Sequence, residues 1–459
     1  MNLLGLLFVL TAHYFSGRGI LRLFRVTLPR LQIFCASMII GVAVLSFVPC
    51  FVQLMNIAIT VTSVSIGIGV VTWLLIIPLV INFKKPVFQK IVLPARYEWP
   101  FIIILIFLMA VSVWRCFYYP PLSRDMLTGP ELIAEYTVRE STLVNSVFSI
   151  DLTTTNNYFK SPFITGLQII YKLLVCPFGQ LWLSVIFVSF TTWLYALMRR
   201  AIHPLLGGLL LLFFISIPDL YAYTYIILYD YSNTVFFFCG FYFLYRDSES
   251  QLTADILLAT FLFGLATYIR TETLVLVVMT APLLFTILYR LKVPAKKATL
   301  YAAAFLGIPA LFYVVCIHVF VRNFIPIPFD LGSQVNPQLS HVSVFFARLW
   351  DMNRYLIFSR WGISEYGYFI FLFCYLLLLD VCCIRRFNRA SLIALYGIAV
   401  VYFGIAFLGY LLPLYDLDNT TKRGLFKLLP LMFLYMCNSG VLLRLSAALE
   451  KWEYPGSII

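Results

Sequence analysis

Residues 119–142 read YPPLSRDMLTGPELIAEYTVREST, and residues 151–174 read DLTTTNNYFKSPFITGLQIIYKLL. Both belong to one loop, 119–179, that follows a strongly apolar stretch at 99–118 and carries Arg124, Asp125, Glu131, Glu135, Arg139, Glu140, Asp151 and Lys160. Ionised side chains at that density are too costly to bury in hydrocarbon. The loop therefore marks one face of a membrane, and most of the remaining chain reads as a scaffold of apolar spans that holds it there.

Of the 459 residues, 62% are hydrophobic and 12% charged, against about 25% charged in a soluble domain. The mean hydropathy is +0.93. Applying the ~20-residue membrane criterion yields about thirteen spans, near 2–16, 33–54, 57–82, 99–118, 180–198, 204–218, 231–245, 253–269, 272–290, 298–321, 364–384, 391–413 and 424–444. The expected fold is an all-α polytopic membrane protein. Residues 1–98 form its N-terminal spans and 99–459 a second module, which includes the long loops 119–179 and 322–362.

A net charge of +13 would point to nucleic acid in a soluble chain. Here most of the basic residues fall in short loops on alternate turns of the chain, among them Arg18, Arg22, Lys84, Lys85, Lys90, Arg199, Arg200, Lys296, Lys297, Arg385 and Arg386. With thirteen crossings these loops share one side, which the positive-inside rule makes cytoplasmic. Nucleic acid is not an expected partner. The opposite side holds 119–179, 219–230, 322–362 and 414–422, where Asp and Glu are mixed with Arg. Topology does not demand mixed charge, so a polar site at the outer membrane surface is expected.

The ten Cys residues are scattered, mostly inside apolar spans, and the four His residues form no ligand spacing. In the first outer loop, Thr128-Gly129-Pro130-Glu131 has the T-x-x-E form of a capping box, with Pro suited to a first turn. It predicts a helix from about 129 to 142. Phe163, Ile164, Leu167, Ile170, Tyr171 and Leu174 recur at helical spacing between Pro162 and Pro177, which predicts a short helix lying in the membrane interface.

Asp125 stands just past a membrane exit. A carboxylate there can take the proton of an acceptor hydroxyl as the oxygen attacks, or it is a solvated Asp paired with a nearby Arg. Glu131 is a candidate second acid, although the capping box accounts for it fully. Asp219 and Asp230 flank PDLYAYTYIILYD, and each is either a second acid or a helix-end residue. Arg270 and Glu272, in TYIRTETL, are two charges in a very short connection and must face water or a polar cavity. Arg270 can hold a phosphate through two N–H groups or pair with Glu272, which is itself a candidate second acid. Arg354 and Arg360, with Lys422 and Arg423 before the last span, are cations suited to an anionic lipid head group or to snorkelling. Arg124 and Lys160 are candidates for loop or acceptor contacts.

The order of these features resembles the GT-C superfamily of membrane glycosyltransferases, which use polyprenyl-phosphate sugars; protein mannosyltransferases and lipid A aminoarabinose transferases are examples. The resemblance spans roughly 99–444. It rests on an early Asp in a long first outer loop, on Lys160-Ser161-Pro162-Phe163 before an apolar helix, on Tyr268-Ile269-Arg270-Thr271-Glu272 at a helix junction, and on Lys422-Arg423-Gly424-Leu425-Phe426-Lys427-Leu428-Leu429-Pro430 before a late helix. Three spans precede the catalytic loop where one is usual. Asp125 lacks the acidic neighbour of the mannosyltransferases, and Thr273 stands where Gly is usual.

The resemblance implies an inverting transfer from a polyprenyl-phosphate sugar to a hydroxyl of a glycolipid, glycan or protein at the outer face of a bacterial inner membrane. Asp125 would be the base, and Arg270, Arg354, Arg360, Lys422 and Arg423 would hold the phosphate. No cofactor is required. Asp125 and Glu131 are compatible with a divalent ion, but nothing demands one. No nucleotide-binding glycine motif follows a strand. Two other readings share part of the pattern. A glycan ligase or polymerase with a lipid-diphosphate donor would depend on Arg residues and His341 in the late loop. A lipid-linked-sugar flippase or transporter would place charges or Gly/Pro breaks at mid-membrane in two matching halves.

Overall fold

The computed structural model describes residues 1–81, 94–118, 120, 123–150, 152, 157–246, 251–327, 341–384, 387–412 and 416–453. Asp151, Lys84, Lys85, Lys90, Arg385 and Arg386 lie outside them, as do parts of the loops 119–179, 322–362 and 414–422. Among the described residues every regular element is helical. Among the described residues nine helices are long and apolar enough to cross a membrane, from Leu3–Leu23 to Arg389–Leu411. Two bent pairs, Arg360–Tyr366 with Phe369–Ile384 at 96° and Leu417–Met436 with Gly440–Glu453 at 46°, raise the number to eleven. The other two expected spans correspond to Pro204–Ile215, of 12 residues, and Tyr229–Arg246, of 18, which carries Asp230, Ser232, Asn233 and Thr234 near its start.

Tyr229–Arg246 is the centre of the bundle: every residue from Tyr229 to Leu244 is buried. At the periphery, Val61–Val80, Arg96–Tyr118 and Ala295–Phe324 are mostly uncovered, with Trp73, Val80, Ile103, Phe107 and Leu311 on the surface. Apolar bands of that extent need lipid around them, which makes this an integral membrane protein.

Lipid supplies no hydrophobic force between helices, so close backbone packing must hold the bundle. A Cβ on Gly17 would run into the carbonyl oxygen of Ser37, one on Gly41 into that of His13, one on Gly19 into that of Leu75, and one on Gly166 into that of Ser46. The first three seams join Leu3–Leu23 to Arg30–Leu45 and Val61–Ile81. These N-terminal helices also pack on Pro162–Leu174, and Arg30–Leu45 packs on Leu181–Ala201. The N-terminal helices are thus part of the wall around the Pro162–Leu174 helix.

Two local expectations change. Thr128 does not cap the Pro130–Glu140 helix; its hydroxyl donates back to the Arg124 carbonyl at 2.8 Å, and Gly129 is the N-cap. Glu131 turns inward to Lys172 Nζ at 2.8 Å, because a buried ammonium competes better for the carboxylate than a solvated backbone N–H. The Pro162–Leu174 helix does not lie on lipid either. All its residues but Lys172 and Leu173 are buried. Gly166 lets it dock against Ser46, and its polar Gln168 is satisfied from within, accepting from Trp182 Nε1 at 2.8 Å.

The charged loops separate to two ends. At one end Arg199 pairs with Glu98 at 3.1 Å, Arg246 donates to the Thr27 carbonyl at 3.0 Å, and His203 meets Glu453 at 3.0 Å. Asp125, Lys160, Asp219, Asp230, Arg270, Lys422 and Arg423 gather at the other. The division follows the alternation of loops along the chain.

Candidate functional site

Four connections bring the charged end together. Asp125 lies on a single helical turn, Arg124–Leu127, just beyond the Trp99–Tyr118 helix. Lys160 is fixed by its neighbour Ser161. The Ser161 hydroxyl accepts from Phe163 N at 3.2 Å to start the Pro162–Leu174 helix, and it donates to the Tyr268 carbonyl. The Ser161 carbonyl accepts from the Tyr229 hydroxyl at 2.6 Å. Arg270 sits in the break between Leu252–Ile269 and Thr273–Arg290. Asn233 spans that break, donating to the Ala266 carbonyl at 2.7 Å and to Thr273 Oγ1 at 3.0 Å. Arg423 follows a wide turn begun by Asp416, whose carboxylate accepts from Thr420 N at 2.7 Å, and Arg423 Nε donates to the Asn419 carbonyl at 3.2 Å.

The side chains form an alternating ladder. Lys160 Nζ lies 3.2 Å from Asp125 Oδ2, and Arg423 Nη2 lies 3.3 Å from the same oxygen. Arg423 Nη1 reaches Asp230 Oδ2 at 3.6 Å. The other oxygen of Asp230 pairs with Arg270, which also pairs with Glu272. Asp125 keeps 27% of its side-chain surface exposed while Asp230 keeps 2%. Asp125 is thus the carboxylate at the mouth, and Asp230 anchors the guanidinium groups from below.

Burial pushes the Asp125 carboxyl up, but Lys160 and Arg423 more than reverse this and hold it below the ordinary range. Burial pulls the Lys160 ammonium down further than Asp125 restores it, with Arg270 and Arg423 adding repulsion. The pair is therefore unequal. Asp125 gains more from its two cations than Lys160 gains from its one carboxylate, because Lys160 also faces two guanidiniums.

Beside the ladder, Lys422 Nζ lies 3.1 Å from both Asp219 Oδ2 and Glu365 Oε2, and 5.0 Å from the centre of the Trp361 ring. Burial and the hydrogen-bonded Asp219 push the Glu365 carboxyl up to about 7, against the pull of Lys422. The Arg360–Tyr366 helix that carries Glu365 turns 96° from the helix after it, so it lies across the bundle end.

The structure therefore joins Asp125, Lys160, Asp230, Arg270, Glu272 and Arg423 in one cluster, with Asp219 and Lys422 in the adjoining one. Others stand apart. Glu131 is held by Lys172 and Gln168, in a network that ties Pro130–Glu140 to Pro162–Leu174. Its carboxyl is pushed up by burial, beyond what Lys172 and Gln168 restore. Arg124, Arg354 and Arg360 are exposed, and Arg354 stacks over Tyr355 at 5.3 Å. Among the described residues no three His, Cys, Asp or Glu side chains converge to hold a metal ion, and Asp125 and Glu131 belong to different networks. Glu365, Trp361 and Asn233 are additions. Glu365 was visible as an acid just before an apolar run, whereas Asn233 carried no such signal.

The chain matches no protein-family model, no curated protein and no solved structure.

Proposed function

We propose that the chain is an inverting glycosyltransferase of GT-C type that moves a sugar from a polyprenyl-phosphate donor to a hydroxyl acceptor. One observation carries this reading: Asp125, Lys160, Asp230, Arg270 and Arg423, from distant parts of the chain, converge at one end of a membrane bundle. A lipid-phosphate donor arrives laterally with its head group at that depth, so the protein needs no nucleotide fold. Counting Pro204–Ile215 and Tyr229–Arg246 as crossings gives the thirteen of this topology. The basic loops at the opposite end then face the cytoplasm, and the cluster faces outward from a bacterial inner membrane.

In this reading the donor phosphate is drawn to Arg270 and Arg423, with Lys160 and Lys422 at the mouth. As the phosphate takes up Arg423 and Lys160, Asp125 loses the cations that hold its basicity down. Its carboxylate accepts the proton of the acceptor hydroxyl. The acceptor oxygen attacks the anomeric carbon from the face opposite the phosphate, the bond from that carbon to the phosphate oxygen breaks, and the phosphate leaves with the electron pair. Guanidiniums placed where that charge develops lower the barrier. Glu131 has no part in this scheme, and Arg354 and Arg360 would have to reach in from the surface.

The ligase reading draws less support, because His341 and the late-loop Arg354 and Arg360 are exposed. The flippase reading is likewise weaker, because the ladder sits at helix ends.

The test is transfer from a panel of radiolabelled polyprenyl-phosphate sugars, with wild type and Asp125→Asn compared in membranes at matched expression. The expected result is a loss of about 10²- to 10⁴-fold in turnover with donor binding retained. Equal turnover in the two proteins would remove Asp125 from the chemistry.

A further inference from the structure

Gly440–Glu453 leaves the Leu417–Met436 run at 46° and meets the ends of three other apolar elements. Near its start, Val441 N donates to Asp380 Oδ1 at 2.9 Å, in the last turns of the Phe369–Ile384 run. At its middle, Ser446 Oγ accepts from His203 N at 2.7 Å, where Pro204–Ile215 begins. At its end, Glu453 Oε2 accepts from the Tyr97 hydroxyl at 3.3 Å, just before the helix Trp99–Tyr118. Its 14 residues extend about 21 Å, and start, middle and end all fall on helix ends. Gly440–Glu453 therefore runs along the membrane boundary, at the end of the bundle opposite the ladder. The three elements it meets carry exposed apolar side chains, among them Tyr375, Leu378, Leu209 and Ile103. These face lipid, so the helix follows the rim of the bundle.

The two sides of this helix differ. At 100° per residue, Leu442, Leu443, Ser446, Leu449, Glu450 and Glu453 fall on one side, and all are buried or half-buried. Arg444, Leu445, Ala447, Ala448, Lys451 and Trp452 fall on the other, and all are exposed. The outer side thus holds two cations, no carboxylate, and an indole that is 82% exposed. Arg96 and Trp99, also exposed, flank Tyr97 and so adjoin Trp452 at the same depth. Water gives an indole and a leucine no gain for standing open. The head-group layer does, since it takes the ring at its apolar edge and the cations among its phosphates. Lipid already surrounds these spans, so no other occupant has to be recruited.

We infer that the outer side of Gly440–Glu453, together with Arg96 and Trp99, is a docking surface for anionic phospholipid head groups. Arg96, Arg444 and Lys451 pair with the phosphates, and the two indoles sit at the acyl boundary. A cation beside an anionic surface is favoured by about fivefold, so the three together favour anionic over zwitterionic lipid by more than about tenfold. The inference stands apart from the glycosyltransferase reading and from the direction in which the chain crosses the membrane.

The experiment places the full chain in nanodiscs of phosphatidylcholine and phosphatidylglycerol in equal amounts, with bromine on the acyl chains of one lipid or the other. Bromine quenches an indole only at contact, and the difference between wild type and Trp452→Phe isolates the Trp452 signal. Brominated phosphatidylglycerol is expected to quench that signal more than brominated phosphatidylcholine does. The excess should collapse in the triple variant Arg96→Gln, Arg444→Gln, Lys451→Gln. It should also collapse for the unaltered chain in about 0.5 M salt, where screening acts within about 4 Å, a measurement that needs no charge variant.

Equal quenching by the two lipids overturns the inference, because the surface then does not select a head group. Quenching by neither lipid overturns it as well and hands the face to water or to a protein partner. An excess that survives salt or the loss of the three cations removes them from the surface and overturns it too. The presence or absence of sugar transfer alters none of these outcomes.

Discussion

Asp125 and Arg423 are 298 positions apart in the chain, and their carboxylate and guanidinium meet at 3.3 Å. This contact closes the charged end of the bundle, since Arg423 also reaches Asp230 and, through it, Arg270.

The pairing sets a pH dependence. Asp125 is held below the ordinary carboxylate range once Lys160 and Arg423 have overcome its burial. A depressed carboxyl contributes stability above its unfolded pKa of about 3.9 and loses it as pH falls through the folded value. The acid limb of kcat/KM, which reports the free enzyme, is therefore expected below about pH 4. In Arg423→Met that limb moves upward. A limb already near pH 6 in wild type would mean that another group is the base.

Glu365 predicts the opposite sign. Burial and Asp219 raise its carboxyl to about 7. A raised carboxyl contributes stability that is complete below its unfolded pKa of about 4.3 and is lost as pH rises through the folded value. The thermal midpoint in detergent should fall between about pH 4.3 and 7 from this group. Glu365→Gln should flatten that part of the curve, and an unchanged slope would assign the effect elsewhere.

Arg270 and Asp230 are coupled. Asp230 keeps 2% of its side-chain surface and would retain only the longer contact to Arg423 at 3.6 Å without Arg270. Arg270→Met is expected to cost about 3 kcal/mol in stability. Adding Asp230→Asn should recover more than half of that, because the stranded charge is then gone. Additive losses in the double variant would show that the pair is not coupled.

The Glu131 network is assigned to structure. Lys172 Nζ contacts Glu131 at 2.8 Å and Glu135 at 2.9 Å, and it donates to the Pro177 carbonyl at 3.1 Å. Lys172→Met strands a buried carboxylate and should cost about 3 kcal/mol, with transfer per folded molecule unchanged. Loss of transfer in a protein of wild-type stability would return Glu131 to the chemistry.

Reading the chain located the charged loops because hydrocarbon excludes ionised groups one by one, a local rule that leaves its mark on composition. It marked Asp125, Lys160, Arg270 and Arg423 as candidates for the same reason. It could not separate them from Arg354 and Arg360, which are likewise charged residues of an outer connection. Glu131 shows the limit in another way: Thr128 and Glu131 have the right spacing for a capping box, yet Lys172, 41 positions on, takes the carboxylate. Tyr229–Arg246 opens with polar first turns, unusual for a span. Those turns are polar because they hold the floor of the site, where Asn233 secures the break that presents Arg270.

The apolar spans, their alternation and the division of charge between two ends were therefore determined by sequence alone, since a solvent that is either water or lipid acts on each segment independently. Which carboxylate meets which cation was decided only by the tertiary structure. Coulomb attraction acts through space between groups hundreds of positions apart, and only the packed bundle, drawn together at Gly17, Gly41 and Gly166, sets those distances.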